Sequence, residues 1–300
     1  MSTERVSKNW QSSGLESFSN QAILGTLNHY GVVLDEEGYR GLAREKYPMA
    51  MALEWQGRWK GTGQFARFPF AAASELWRRL EGERLLPTDY AQAVAGLVNA
   101  MLRMLDGSAD APVGPSFEKL KELKSKVPLK DGSADEAFVQ EVFAHFGEEL
   151  VRAFDGIAER LAQGGHVDDA RDFAELEEFL LPERAGVSKA IVRAVSGERE
   201  PAVQDLIALS DDAKRTLPAR VSALDALVHL ETYEPVKSRL PPILDEAEKA
   251  EDHHLALELA SRLHHVLKAT SAPRAELRAV EERAERLQEA HRIAHPHHHH

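Results

Sequence analysis

At 300 residues the chain has room for two ordinary domains or one long helical array, and its 43% hydrophobic and 29% charged residues are the composition of a protein with a substantial core. It has no cysteine, which excludes disulfides, thiolate metal sites and cysteine nucleophiles. The net charge of -12 is unevenly spread: residues 1–107 carry 12 Lys and Arg against 12 Asp and Glu, residues 108–180 carry 8 against 17, and residues 181–300 carry 17 against 20. Such an acidic middle repels nucleic acid and anionic membranes and attracts a basic protein partner.

The N-terminal stretch MSTERVSKNWQSSG lacks an apolar core of signal-peptide length, and no later apolar run is long enough for a membrane span. The expected location is therefore the cytoplasm. Spacings of three and four residues between apolar side chains then predict helices over 14–29, 36–56, 70–82, 88–105, 116–126, 135–163, 168–181, 187–196, 200–213, 217–231, 234–250, 252–269 and 273–293. The strand-like pieces are 30–34 and 65–70. The expected fold class is all-α.

Twelve of the 20 aromatic residues lie in the first 100 positions, and Tyr233 alone lies beyond residue 180. An aromatic-rich N-terminal helical domain over 1–107 is expected, ending at the Gly/Ser/Pro-rich stretch DGSADAPVGP at 106–115. A linker with a short helix follows over 108–134. Its second turn-like string, KDGSAD at 130–135, repeats DGSAD and reads as turn and helix-cap chemistry. Residues 135–294 form either an antiparallel helical bundle or a short solenoid-like stack of helical repeats. Residues 203–231 and 239–267 match weakly at an offset of 36, within the range of helical-hairpin repeats, without the Trp/Gly/Tyr/Pro pattern of a tetratricopeptide repeat. The His-rich end, 295–300, is a purification tag or a native tail and is set apart from the fold.

The most unusual segment is ALEWQGRWKGTGQFARFPF at 52–70. Trp55 and Trp59 stand one helical turn apart. Arg58, Lys60 and Arg67 alternate with Phe65, Phe68 and Phe70, and Gly57, Gly61 and Gly63 break the helix. Aromatic and basic side chains in alternation can stack bases and hold phosphates, but the neutral charge of 1–107 disfavours nucleic acid. Trp and Arg are also favoured in protein interfaces, so Trp55, Arg58, Trp59, Lys60, Phe65, Arg67 and Phe68 are taken as candidate binding residues. The bland alternative is a loop pinned to the core by its large rings.

A second surface is the run at 165–180, where six carboxylates accompany one Arg. Asp168, Asp169, Asp172 and Glu175 form an acidic helical surface suited to a basic partner, opposite a buried side made by Phe173, Leu176 and Leu180. Glu141 and His145 read as a solvated pair at i,i+4. His253 and His254 lie 11 residues before His264 and His265, or roughly 16 Å along a helix, too far apart to share one ion. No G-x-S-x-G, Walker or H-E-x-x-H pattern occurs. The sequence thus assigns no catalytic residue, metal site or cofactor. It points to a non-enzymatic interaction module: an adaptor, scaffold or regulatory partner. The alternative is a helical enzyme or small-molecule binder with a pocket lined by Trp55, Trp59, Phe65 and Trp77, and Arg58, Glu54 and His29 as its polar groups.

Overall fold

The structure is a computed structural model that describes residues 3–107 and 113–294, and among these it is almost entirely helical. Two compact units divide between Asp155 and Gly156.

The first unit begins with α1 (Trp10–Ser13) and α2 (Asn20–His29). Residues 14–19 are not helical as expected, because Arg79 draws the Leu15 and Phe18 carbonyls into hydrogen bonds of 2.8 and 2.6 Å. Ser19 then starts α2 by accepting from the Ala22 N–H. The expected single helix over 36–56 is split into α3 (Glu36–Ala43) and α4 (Pro48–Gln56). Pro48 is the cause: it has no N–H to give, and it holds Tyr47 in extended backbone at φ -89°, ψ 164°. A short 3-10 turn at Gly63–Phe65 leads into α5 (Phe68–Leu80), followed by α6 (Pro87–Leu105) and α7 (Val113–Lys124).

Neither 30–34 nor 65–70 is a strand. Among the described residues the strands are the two-residue pair β1 (Leu129–Lys130) and β2 (Ser133–Ala134), antiparallel, with Leu129 opposite Ala134. Between them Asp131 and Gly132 both have positive φ, 53° and 80°, the conformation that an Asp-Gly hairpin turn requires. Asp135 next caps α8 (Glu136–Ala144) through the Ala137 N–H, as the second DGSAD copy suggested. In the first copy, residues 108–110 lie outside the described residues, as do 295–300.

The helix expected over 135–163 bends at 145–147, and α9 (Glu148–Gln163) starts after Gly147. The break lets Phe143 and Phe146 fold onto Phe154, with ring centroids 5.4 and 6.3 Å from it. Both α7 and α8 pack on α6, so the stretch between 113 and 144 is built into the first unit.

The second unit continues with α10 (Val167–Leu180), a 3-10 turn at Pro182–Arg184, α11 (Val187–Val195), α12 (Arg199–Asp211), α13 (Leu217–His229), α14 (Glu234–Lys249), α15 (His253–Ala269) and α16 (Arg274–Ala294). Each of these helices packs on its chain neighbours, as helices do in an antiparallel bundle or a helical stack. Leu206, Leu224, Leu227, Leu240, Ile243, Leu244, Leu259 and Leu263 run through a continuous core. The starts of α13 and α15 are 36 residues apart, so the hairpins α12–α13 and α14–α15 are the two segments that match in sequence.

Three successive turns in this unit share one geometry. Glu231, Glu251 and Ser271 adopt positive φ of 56°, 57° and 54° at 20-residue intervals. After each, the next N–H reaches back to the carbonyl of Leu227, Ala247 or Leu267, at 2.9, 3.1 and 2.9 Å. This is the Schellman closure of a helix end. Arginines tie helices two apart. Arg239 forks onto Asp211 at 2.8 and 3.0 Å, Arg262 meets Asp225 at 2.6 Å, and Arg283 takes Glu248 at 2.8 Å together with Asp245. No helix among the described residues is long and apolar enough to cross a membrane.

Candidate functional site

The 57–67 segment leaves α4 at Gly57, crosses the 30–32 loop that follows α2, and returns to the core where α5 begins. The Lys60 N–H donates to the Tyr30 carbonyl at 2.8 Å. Gly31, at φ +110°, sits so close to this crossing that a Cβ there would lie 2.6 Å from the Arg58 carbonyl oxygen. Gly61 is needed for a different reason: a Cβ would lie 2.5 Å from the indole nitrogen of Trp59, which folds back over it. That indole donates to the Phe65 carbonyl at 2.9 Å, and the Trp10 indole donates to the Gln64 carbonyl at 3.1 Å. Two N–H groups from large rings thereby satisfy carbonyls that a loop would otherwise leave open.

The candidate residues divide sharply by burial. Trp55 and Phe68 are fully buried and Phe65 nearly so, while Trp59 is half-buried and Arg58, Lys60 and Arg67 are exposed. The rings form a chain from inside to outside. Trp10 packs edge-on against Phe68 at 5.3 Å, Phe68 stacks with Trp59 at 6.0 Å, Trp59 meets Tyr30 at 5.1 Å, and Tyr30 meets His29 at 4.7 Å. Trp55 lies apart, packed toward Tyr39. The loop is therefore pinned by its aromatics, and its basic groups are exposed together with Thr62 and Gln64. Arg67 lies over the Phe70 ring, 5.0 Å from its centroid. Glu54 is held by Lys46, which keeps its carboxyl below the usual range. With Trp55 and Trp77 each 1% exposed, the faces expected to line a pocket are spent on packing.

The acidic surface lies on α10. Asp168, Asp172 and Glu175 are exposed, Asp169 is half-buried, and Phe173 and Leu180 face inward, while Leu176 stays half-exposed. Its charge is partly compensated: Arg171 stands 3.6 Å from Asp168, and Lys189 stands 3.3 Å from Glu175.

Two buried carboxylates escaped the sequence reading. Glu141 is not in a solvated pair with His145. It is buried, and its oxygens accept from the N–H groups of Ala50 at 2.7 Å and Met49 at 3.2 Å, capping α4 from another helix. Burial raises its pKa, and the two backbone hydrogen bonds oppose that rise. His145 instead lies 2.9 Å from the Thr88 hydroxyl, and burial lowers its pKa. The available signal was the position of Glu141 three residues after Phe138, within one helical face. The second is Glu177 on α10, 1% exposed, which accepts from the Ser188 hydroxyl at 3.1 Å and stands 3.5 Å from Arg184. It falls four residues after Phe173 and three before Leu180, so its side was readable; its partners, brought by the following 3-10 turn and helix, were not.

The histidines on α15 are dispersed. His254 pairs with Glu258 at 3.4 Å on its own helix, and His264 with Glu281 on α16 at 3.0 Å. Among the described residues no three His, Asp or Glu side chains are grouped to hold a metal ion. No family model matches the chain, and neither a curated protein nor a solved structure matches it.

Proposed function

We propose that this protein is a non-enzymatic interaction module, an adaptor, scaffold or regulatory partner acting in the cytoplasm. In this reading it meets other proteins through the 57–67 segment and through the acidic face of α10. The observation that carries the reading is the division within 57–67. A fixed aromatic base holds a half-buried Trp at the surface between the exposed cations Arg58 and Lys60. An indole held in this way is a favoured interface anchor, because its ordering cost is already met in the free protein, and an arginine beside it is a residue type enriched at interface hot spots. Four buried ionisable groups support the same reading, since their polar atoms are committed to the fold. Glu141 caps α4, Glu177 binds Ser188, Tyr39 donates to the Ala73 carbonyl and Tyr47 donates to Asp135. The acidic face of α10 offers a second contact, for a basic partner, through Asp168, Asp169, Asp172 and Glu175.

The test is affinity capture from the source cell with three baits: wild type, Arg58→Glu/Lys60→Glu, and Asp168→Lys/Asp172→Lys. A protein captured by the wild type and lost from either variant is the expected outcome. An identical captured set from all three baits overturns the proposal for both surfaces.

A further inference from the structure

The two loops that cross at the Lys60–Tyr30 hydrogen bond lie in two long stretches without an acidic residue. Of the 49 Asp and Glu residues, none falls in 17–34 or in 55–74. Those stretches contain the whole crossing, with His29, Tyr30, Arg58, Trp59, Lys60 and Arg67. In a chain of net charge -12, Arg58, Lys60 and Arg67 are exposed cations in an acid-free stretch. The nearest acidic residue before the second stretch, Glu54, is bound to Lys46 and also lies within electrostatic reach of Arg58. The cations flank apolar surface: Tyr30 and Trp59 are half-buried rings in contact, and Val33 is 64% exposed.

We infer that the ridge formed by Tyr30 and Trp59, with Arg58 and Lys60 beside it, docks an acidic segment of a partner protein; this rests on the interaction reading above and adds the chemistry of the partner. Charge complementarity sets the occupant. Carboxylates of the segment meet the guanidinium and ammonium groups, and an apolar or aromatic side chain between them covers the exposed ring edges. A nucleic acid fits less well. Three cations are fewer than the roughly six to ten phosphate contacts over which duplex binders gain their affinity, and the remainder of the chain repels a polyanion. The ridge is also fixed in advance. The Trp59 indole is tied to the Phe65 carbonyl, Gly31 lets the two loops close without a Cβ between them, and Gly61 leaves room for the folded-back Trp59 ring.

The experiment titrates full-length protein against a short fluorescein-labelled peptide of glutamates around a central pair of phenylalanines, followed by anisotropy. The same peptide with lysine for glutamate and a labelled oligothymidylate serve as further probes. The glutamate peptide is expected to bind, to weaken about tenfold or more in Arg58→Glu/Lys60→Glu, and to weaken as salt rises. The exposed charge variant carries little risk to folding; Trp59→Phe, which keeps a ring in place, tests the indole separately. Equal binding to the charge variant, preference for the lysine peptide or the oligothymidylate, or no binding by wild type would overturn the inference. Loss of a cellular partner on changing Trp59 but not on reversing Arg58 and Lys60 would also overturn it, while leaving the interaction reading intact.

Discussion

Glu141 shows how much a single side chain can hold in this fold. Its carboxylate closes the amino end of α4, where two N–H groups have no partner inside the helix. Because burial raises its folded pKa, it binds protons more strongly in the folded chain than in the unfolded one. Its contribution is fully present below the unfolded value of about 4.3 and declines as pH rises through the folded value. Glu141→Gln keeps one acceptor and removes the charge. Its stability relative to wild type is expected to improve as pH rises above about 4.3, read from chemical denaturation at several pH values. A constant difference across that range would refute the assignment. Two tyrosines give a sharper contrast. The buried Tyr90 hydroxyl has no hydrogen-bond partner among the described residues, whereas the Tyr39 hydroxyl donates to the Ala73 carbonyl. Tyr90→Phe should therefore be neutral or slightly stabilising, and Tyr39→Phe should cost about 1 kcal/mol in urea unfolding.

At the scale of elements, the recurring turns of the second unit carry a cost that can be measured. Glu251 occupies the left-handed region, where a Cβ crowds the backbone by about 1 kcal/mol relative to glycine. Gly165 holds the equivalent place after α9, at φ +85°, with open space where a Cβ would lie. Glu251→Gly is expected to raise the melting temperature and Gly165→Ala to lower it by a similar amount, each corresponding to about 1 kcal/mol. Opposite signs in calorimetry would show that side-chain contacts rather than backbone conformation govern these turns. The helix α14 is the reverse case, since Pro241 and Pro242 lie within it. The expected helix over 234–250 still forms there, because Val236, Leu240, Ile243, Leu244 and Ala247 recur on one buried face, and tertiary packing outweighs two lost ladder donors.

For the whole molecule, the arginine pairs decide how one hairpin of the second unit sits on the next. Asp225 has its pKa raised by burial, with Arg262 opposing the rise. Arg262→Met removes that opposition, so at neutral pH it should destabilise by about 1 kcal/mol, a modest figure because both side chains are partly exposed. The loss should shrink as pH falls toward the unfolded carboxylate value of about 3.9, where Asp225 is increasingly protonated. Hydrogen exchange provides a second readout: amides of α13 and α15, the helices joined by this pair, should lose more protection than those of α10. A uniform loss throughout the unit would mean that it responds as one closed bundle rather than as stacked neighbours.

Helix content and most helix positions after residue 68 were legible in the sequence, because apolar spacing is a local property and each amphipathic face has one side to bury. The solvent side of α10 was legible for the same reason. What the sequence did not reveal came from groups distant along the chain. Arg79 holds 14–19 out of the helix, and Glu141 leaves the solvent to cap α4. The Trp10 indole, reaching Gln64, helps fix the loop that the sequence had marked as unusual. The 57–67 segment carried its composition in the sequence, but the tertiary structure decided which of its residues are foundation and which are surface. The reason is physical: a large ring gains the same from burial wherever its contacts come from, so composition alone cannot separate a Trp that anchors a loop from one that the loop displays.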